Sequence, residues 1–462
     1  MKNKPDLKAE KAPARPNPVP TFTPQTHWGF PMFKLKLKII GDAGTGKTHY
    51  LKSIIQKWKI PSCSHTKTAV ERLRTEDSPA SRTIHSIALK LALRDNAFKR
   101  MYERTVKAGG IEKFRQQFCK LHNLKLHHDP YTPCEGRAFF SLYSYYANTL
   151  RMPENTDQKL AKLIPEYEKY KEEEKFVDYE DFILVAIALS EETGYKTSIV
   201  IDEAQDLSPL QWAFIEKIAD VTFLAGDELQ SIFSFQGATP EIFTKIQAKS
   251  KILDYNYRIP STIWEAAGEI VKKQLKRKRA TALYKGGLVA EINQPPETVA
   301  KLAAALSTID RTLLLCRHNS TVIEYARILD KNNLNYTLVK MEKNRGNRTN
   351  RGLLLDTIHS CKGLEAPFVI MVDEQTEKNE EEDRIRYVGM TRASAVLIIA
   401  NQMKDSTPQL GYIRKNFDLQ IPVAKNLRDL IICAKTQYKI LNEQKKKKHE
   451  NQIKETTQGG GK

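Results

Sequence analysis

The sequence predicts an α/β protein with two parallel sheets and an all-helical insert in the first of two domains. Three observations predict it. A strand, a glycine turn and a helix follow one another without interruption over residues 33–58. Six later apolar runs ("SIVID", "VTFLAGD", "RTLLLC", "GLLLDT", "PFVIMVD" and "AVLIIAN") each end in polar or charged residues, and helical segments separate most of them. Such alternation needs crossover connections and therefore parallel strands. Residues 87–177 hold no such run and read as helices.

Taken in order, residues 1–30 form a basic, Pro-rich tail with no apolar stretch, unlike a secretory leader. "FKLKLKII" alternates and then turns fully apolar, as a strand entering a sheet does. "GDAGTGKT" matches G-x-x-x-x-G-K-[ST] at Gly41, Gly46, Lys47 and Thr48. Glycines there let backbone N–H groups curl around phosphate oxygens, and the helix N-terminus adds favourable partial charge. Lys47 would neutralise terminal phosphates, and Thr48 would offer its hydroxyl to Mg²⁺.

The insert reads as helices that stop at Gly109–Gly110 and at Pro153, with a kink or break at Pro165. Its aromatics Phe139, Phe140, Tyr143, Tyr145 and Tyr146 sit at helical spacing, which favours core packing over base stacking. "CKLHNLKLHHDPYTPC" offers Cys119, His122, His127, His128 and Cys134 to a zinc ion, but at no standard spacing.

"IVIDEAQD" runs from an apolar strand into Asp202, Glu203 and Asp206. Carboxylates so close repel one another unless a cation is present. With a phosphate loop in the same chain, Asp202 reads as a Mg²⁺ ligand and Glu203 as the base that polarises an attacking water. Asp227 and Gln230 follow another apolar strand, where a Gln can sense a terminal phosphate. "KKQLKRKR" (272–279) is either a track for backbone phosphates or a solvated helical face. Leu427, Leu430, Ile431, Ala434, Tyr438 and Leu441 share one helical face and read as core, and residues 443–462 read as a disordered basic tail.

The 462 residues are 40% hydrophobic, enough for a sizeable core, and no run is long enough to span a membrane. Six cysteines without C-x-x-C suit reduced thiols and a cytoplasmic location. The net charge of +19 points to a polyanionic partner.

Together these stretches resemble superfamily 1 DNA helicases of the UvrD/Rep/PcrA type. Eight ordered stretches carry the likeness: "GDAGTGKT", "HTKTAVERLR", "TIHS", "VIDEAQDLSPLQW", "LAGDELQSIFSFQGA", "LDYNYRIP", "DTIHSCKGLEAPFVIMVD" and "RIRYVGMTRA". The resemblance implies two RecA-like P-loop domains with ATP and Mg²⁺ in the cleft between them. The first would span 31–86 and 178–250 around a 1B-like insert at 87–177. The second would span 251–410, followed by a helical segment at 411–442. It implies nucleotide contacts from Gly41, Gly44, Gly46, Lys47, Thr48, His49 and Glu365, metal ligation by Thr48 and Asp202, and catalytic roles for Lys47, Glu203, Gln230, Arg258 and Arg392. Thr83, His85, Phe235, Thr357 and His359 fall on positions that line a single-stranded DNA track, with Phe235 where the family has Trp and Gln236 where it has Arg. Gln25 is the nearest candidate for an adenine-reading Gln.

Between "TLVK" and "LLLDTIHS" only "MEKNRGNRTNRG" intervenes, where the family inserts a 2B domain. A compact form lacking 2B is the expectation. The implied function is ATP-dependent 3′–5′ translocation on single-stranded DNA and unwinding of tailed duplexes in the cytoplasm, on the nucleoid or in a phage host, with no membrane involved and with a replication or repair protein as partner. An ATP-switched remodelling or loading factor is the alternative.

Overall fold

The apolar runs form strands because both of their faces are covered by helices. The computed structural model describes residues 34–74, 81–341, 352–374, 378–401, 409–414 and 426–458. The expected N-terminal tail, with Gln25, and most of the "MEKNRGNRTNRG" segment lie outside them.

The first sheet contains β1 (Lys34–Ile40), β2 (Ser62–Ser64), β3 (Arg82–Thr83), β4 (Thr197–Asp202), β5 (Ala219–Gly226) and β6 (Ser250–Ile252). Its order is β3-β2-β4-β5-β1-β6, parallel throughout. Helix Lys47–Trp58 covers one face, packing Leu51 and Ile55 with Ile39 and Val200. Helices Tyr179–Thr193 and Pro209–Ile218 cover the other, with Ile183, Ile187 and Phe214 against Ile199 and Ile201. Doubly covered parallel strands must be apolar on both sides, which is why these read as continuous runs. Because β6 pairs with β1, the first domain extends to Ile252, past the expected limit at 250.

The insert also starts later than residue 87. Helix Ile84–Ala92 begins directly after β3, where the Thr83 hydroxyl accepts from the Ser86 N–H at 3.3 Å. Its Ile84 and Ala88 pack into the first-domain core. The insert proper comprises helices Asn96–Lys107, Ile111–Leu121, Glu135–Thr149 and Gln158–Glu174. Pro165 lies inside the last helix without ending it. Phe139, Phe140 and Tyr143 join Phe118, Tyr167 and Phe176 in a separate core, so this part of the aromatic run packs internally. Among the described residues no group of three or more His, Cys, Asp or Glu side chains converges as a metal site. The Cys/His-rich stretch instead docks onto the second domain: the buried Tyr131 donates its hydroxyl to Asp356 Oδ2 at 2.7 Å.

A short pair, β7 (Tyr255–Asn256) and β8 (Thr281–Ala282), leads into the second domain. Its sheet contains β9 (Leu288–Asn293), β10 (Thr312–Cys316), β11 (Thr337–Leu338), β12 (Leu353–Thr357), β13 (Ala366–Asp373), β14 (Ala393–Asn401) and β15 (Gln409–Arg414). The order is β11-β12-β10-β13-β14-β9-β15, and only β15 runs antiparallel, beside β9. The expected boundary at 410 therefore falls inside a strand of this sheet.

The C-terminal helix runs Leu427–Gln458, so the described part of the expected disordered tail is helical. Leu430, Ala434 and Leu441 anchor it in the second-domain core. Lys, Glu and Gln, which dominate its far end, are good helix formers once a packed segment has supplied the nucleus. In both sheets the parallel strands present their C-terminal ends on one edge, where ligand-binding loops collect.

Candidate active site

The phosphate loop leaves β1 and enters helix Lys47–Trp58 at that edge. Gly44 and Gly46 have φ of +77° and +85°, which L side chains rarely adopt. At Gly44 a Cβ would also meet Asn256 Oδ1 at 2.5 Å, so the glycine lets the "DYNYR" segment come close. That segment is fastened there: Tyr257 N–H donates to Gly44 O at 2.9 Å. Lys47 is buried and donates from Nζ to the carbonyls of Gly41 (2.8 Å) and Asp42 (3.1 Å).

Thr48 Oγ1 donates to Asp202 Oδ2 at 2.7 Å. A hydroxyl and a carboxylate meeting beside a phosphate loop are the hard oxygen donors that Mg²⁺ takes, so these residues fit the ion. Glu203 has φ +55°, rare for a non-glycine, and accepts from Gln205 Nε2 at 2.7 Å. The two acids are pushed apart. Burial and the Glu203 charge raise Asp202 to about 6. Glu203 is half-buried and also desolvated, but the Lys362 and Lys47 ammoniums outweigh that and lower it to about 2. Glu203 is therefore ionised, as an acceptor for a water proton must be.

The second domain closes this edge. Arg392 is buried and donates from Nη2 to Gln230 Oε1 at 3.1 Å. Gln230 Nε2 donates to Asp227 Oδ2 at 2.6 Å, Asp227 N–H donates to Gln205 Oε1 at 3.0 Å, and Gln205 in turn holds Glu203. A continuous polar chain thus links Arg392 to Glu203. Arg258 donates to Glu365 Oε2 at 2.7 Å and to Thr391 O at 3.1 Å. Burial and the nearby Arg258 and Arg72 lower Arg392 to about 9. A cleft that disfavours its own guanidinium charge is one that an anion would stabilise.

Several contributors were not legible beforehand. Lys362 crosses between domains, donating to Asp206 Oδ1 (2.8 Å) and Oδ2 (2.5 Å) and to Gln230 O. Arg277, from the basic run 272–279, forms an ion pair with Asp42 Oδ1 at 2.6 Å, and the Ala280 N–H donates to Asp42 Oδ2 at 2.7 Å. Arg279 stacks on Trp264, 3.6 Å from the ring centroid. These two cations of the run therefore serve the fold and the phosphate loop. A cavity of about 630 Å³ opens beside Gly46 and His49, lined by Tyr50, Asp254, Tyr255 and Tyr257. The signal that was available was the aromatic-rich wording of "DYNYR". Lys445, in the expected tail, lies over the Tyr284 ring at 5.7 Å from its centroid, and burial lowers its ammonium.

The expected DNA-track residues cluster elsewhere on the same edge. Phe235, 46% exposed, meets His359 edge to face at 5.4 Å across the domain boundary, and Phe233 lies 5.5 Å from His65. "TIHS" occurs at the ends of both β3 and β12, and each Thr hydroxyl accepts from the Ser N–H three residues on, at 3.3 Å for Thr83 and 3.4 Å for Thr357. Burial lowers His85 and His359 to about 4, so both rings are neutral at physiological pH.

Comparison with known proteins follows the same division. The UvrD/REP helicase N-terminal domain family matches residues 27–251, and the UvrD-like helicase C-terminal domain family matches 352–400. The chain is similar to the putative ATP-dependent DNA helicase YjcD of Bacillus subtilis, with 25% identity over 283 residues, 52% of this chain and 37% of that protein. It is similar to the ATP-dependent DNA helicase PcrA of Staphylococcus epidermidis, with 25% identity over 284 residues, 52% of this chain and 38% of that protein. The matches thus span well under half the length of these relatives. A solved complex of the Arterivirus nonstructural protein 10 helicase with DNA overlaps 79% of this chain and 60% of that one at 12% identity, with a TM-score of 0.33, too low to bear on the fold. With motif-bearing segments of both domains matched in order, the chain belongs to the UvrD-type superfamily 1 helicase family.

Proposed function

We propose that this protein is an ATP- and Mg²⁺-dependent motor that moves 3′ to 5′ along single-stranded DNA and opens tailed duplexes. The observation that carries the reading is the pair of cross-domain contacts, Arg392 to Gln230 and Lys362 to Asp206, set beside the phosphate loop. Charge that develops on a transferred phosphoryl group is best met by cations that arrive with closure. Bound Mg²⁺ would supply charge neutralisation between the phosphates, with Thr48 and Asp202 as its protein ligands. Lys47 holds phosphate charge, Glu203 takes the water proton, and Arg258 and Arg392 stabilise the transition state. The aromatic cavity beside Gly46 supplies stacking faces for a base.

DNA would lie across Phe235 and His359, one from each domain, so that closure changes the spacing of its two grips. Thr83, His85 and Thr357 complete that track. The twelve residues between Lys340 and Leu353 support a compact motor without a 2B domain. That same feature favours a second reading, an ATP-switched remodelling or loading factor with little unwinding of its own. The relatives' names support DNA as the substrate, and a replication or repair protein in the cytoplasm is the partner this reading expects.

Strand separation on duplexes carrying either a 3′ or a 5′ tail tests it. Unwinding only from 3′ tails is the expected result. Unwinding from 5′ tails overturns the polarity, and ATP turnover without unwinding from either tail supports the second reading.

A further inference from the structure

Helix Glu135–Thr149 of the insert is fastened beside both halves of the proposed DNA track, one at each end. At its C-terminal end, Asn148 Oδ1 accepts from Ser208 Oγ of the first domain at 2.6 Å. Next to that bond, a Cβ on Gly237 would meet the Thr149 methyl at 2.7 Å. Gly237 thus lets the helix end press against the turn Ser234–Gln236, which carries Phe235.

At its N-terminal end the helix holds a loop in one shape. Arg137, in the first helical turn, donates to the carbonyls of His127 (3.1 Å), Asp129 (2.6 Å) and Thr132. The Asp129 carboxylate accepts from the backbone N–H groups of Tyr131 (3.1 Å) and Thr132 (2.8 Å). This loop inserts Tyr131 into the second-domain core, where it is only 3% exposed. Its hydroxyl donates to Asp356 Oδ2 at 2.7 Å, and Lys340 Nζ lies 4.8 Å from its ring centroid. Asp356 is wholly buried and also accepts from the backbone N–H of Lys340 at 2.8 Å and, through Oδ1, from that of Thr357 at 2.7 Å. Thr357 opens the turn that carries His359. A Phe would fill the same pocket without needing a buried acceptor. The hydroxyl adds direction, because a bond to a carboxylate fixes the loop against one residue.

We infer that Tyr131 is a positioning residue for DNA: through Asp356 it ties the insert to the strand end bearing Thr357 and His359, so that helix Glu135–Thr149 spans the two grips and holds them ready for a single strand. This inference rests on the DNA-motor reading above. A strand that meets two grips already fixed relative to each other loses less free energy to ordering than one that must bring them into place. Without the tether each grip still meets DNA, but the pair loses its fixed relation.

ATP hydrolysis by the full chain, titrated with oligo-dT, tests this in wild type and in Tyr131→Phe, which keeps the buried ring and removes only the hydroxyl. Turnover without DNA should be unchanged, while the half-saturating oligo-dT concentration should rise about tenfold, as expected for one charge-assisted hydrogen bond. Asp356→Asn weakens the same bond from the other side and should raise that concentration too. The double variant should raise it no further than the larger single effect, because both changes break one interaction. An unchanged half-saturating concentration in folded Tyr131→Phe overturns the inference, even if its melting temperature falls, since the contact then serves docking alone. Single effects that multiply in the double variant also overturn it. If Tyr131→Phe does not fold, Asp356→Asn decides, and a wild-type value there overturns the inference. If oligo-dT neither binds to nor stimulates the wild type, the motor reading falls first; if it does both and the variants match wild type, only the role of Tyr131 falls.

Discussion

The two domains contribute unlike halves to one cleft. In the first, Lys47, Thr48 and Glu203 bond within their own domain, to Gly41 and Asp42, to Asp202 and to Gln205. In the second, Lys362 and Arg392 reach across, to Asp206 and Gln230. The first half bonds within itself as a cradle, and the second reaches it with cations that, on the proposed reading, closure would place. Residues of the first half should therefore decide whether the nucleotide is held and attacked, and residues of the second half whether its transition state is stabilised.

The largest effects should come from the first half. Lys47→Ala or Glu203→Gln is expected to lower phosphate release by about a thousandfold or more while oligo-dT binding largely survives. Arg392→Ala should lower kcat by about a thousandfold with a much smaller change in nucleotide affinity, which separates the halves in one kinetic comparison. An Arg392→Ala defect confined to KM would erase the distinction.

The Lys362–Asp206 bridge sharpens the comparison further, because each partner belongs to a different half. Lys362→Met leaves a buried carboxylate without its cation and should cost about 3–5 kcal/mol in thermal or denaturant unfolding. Adding Asp206→Leu should recover much of that loss, while hydrolysis stays impaired because closure has lost its clasp. Full recovery of both would make the bridge a packing feature alone.

The smallest effect is expected from the two "TIHS" histidines, one in each domain. Burial lowers both to about 4, against an ordinary value of 6.5. Between pH 6.5 and 4 the unfolded chain takes up protons that the folded chain does not, so stability should fall as pH drops through that window. His85→Gln and His359→Gln should each flatten the slope, and an unchanged slope would place the acid sensitivity elsewhere.

These contrasts also show what was legible in the sequence. The phosphate loop and the "DEAQD" strand end were readable because their chemistry is local, set by glycines and by strand–turn–helix order. Contacts such as Arg277 with Asp42, Lys362 with Asp206 and Tyr131 with Asp356 join residues far apart in the chain, and no local pattern announces them. The basic run 272–279 reads equally as a phosphate track or a solvated face, because composition cannot reveal that Arg277 and Arg279 are turned inward. The C-terminal segment misled for the opposite reason: its Lys, Glu and Gln content reads as a solvated tail, yet packing of Leu430, Ala434 and Leu441 starts a helix that the same residues then extend.

The most direct test of a single closing cleft is steady-state ATP hydrolysis by the purified protein with and without oligo-dT, in wild type and Arg392→Ala. Oligo-dT should raise wild-type turnover at least about tenfold and leave Arg392→Ala near its unstimulated rate. Wild-type turnover indifferent to oligo-dT, or full stimulation of Arg392→Ala, would contradict a single closing cleft.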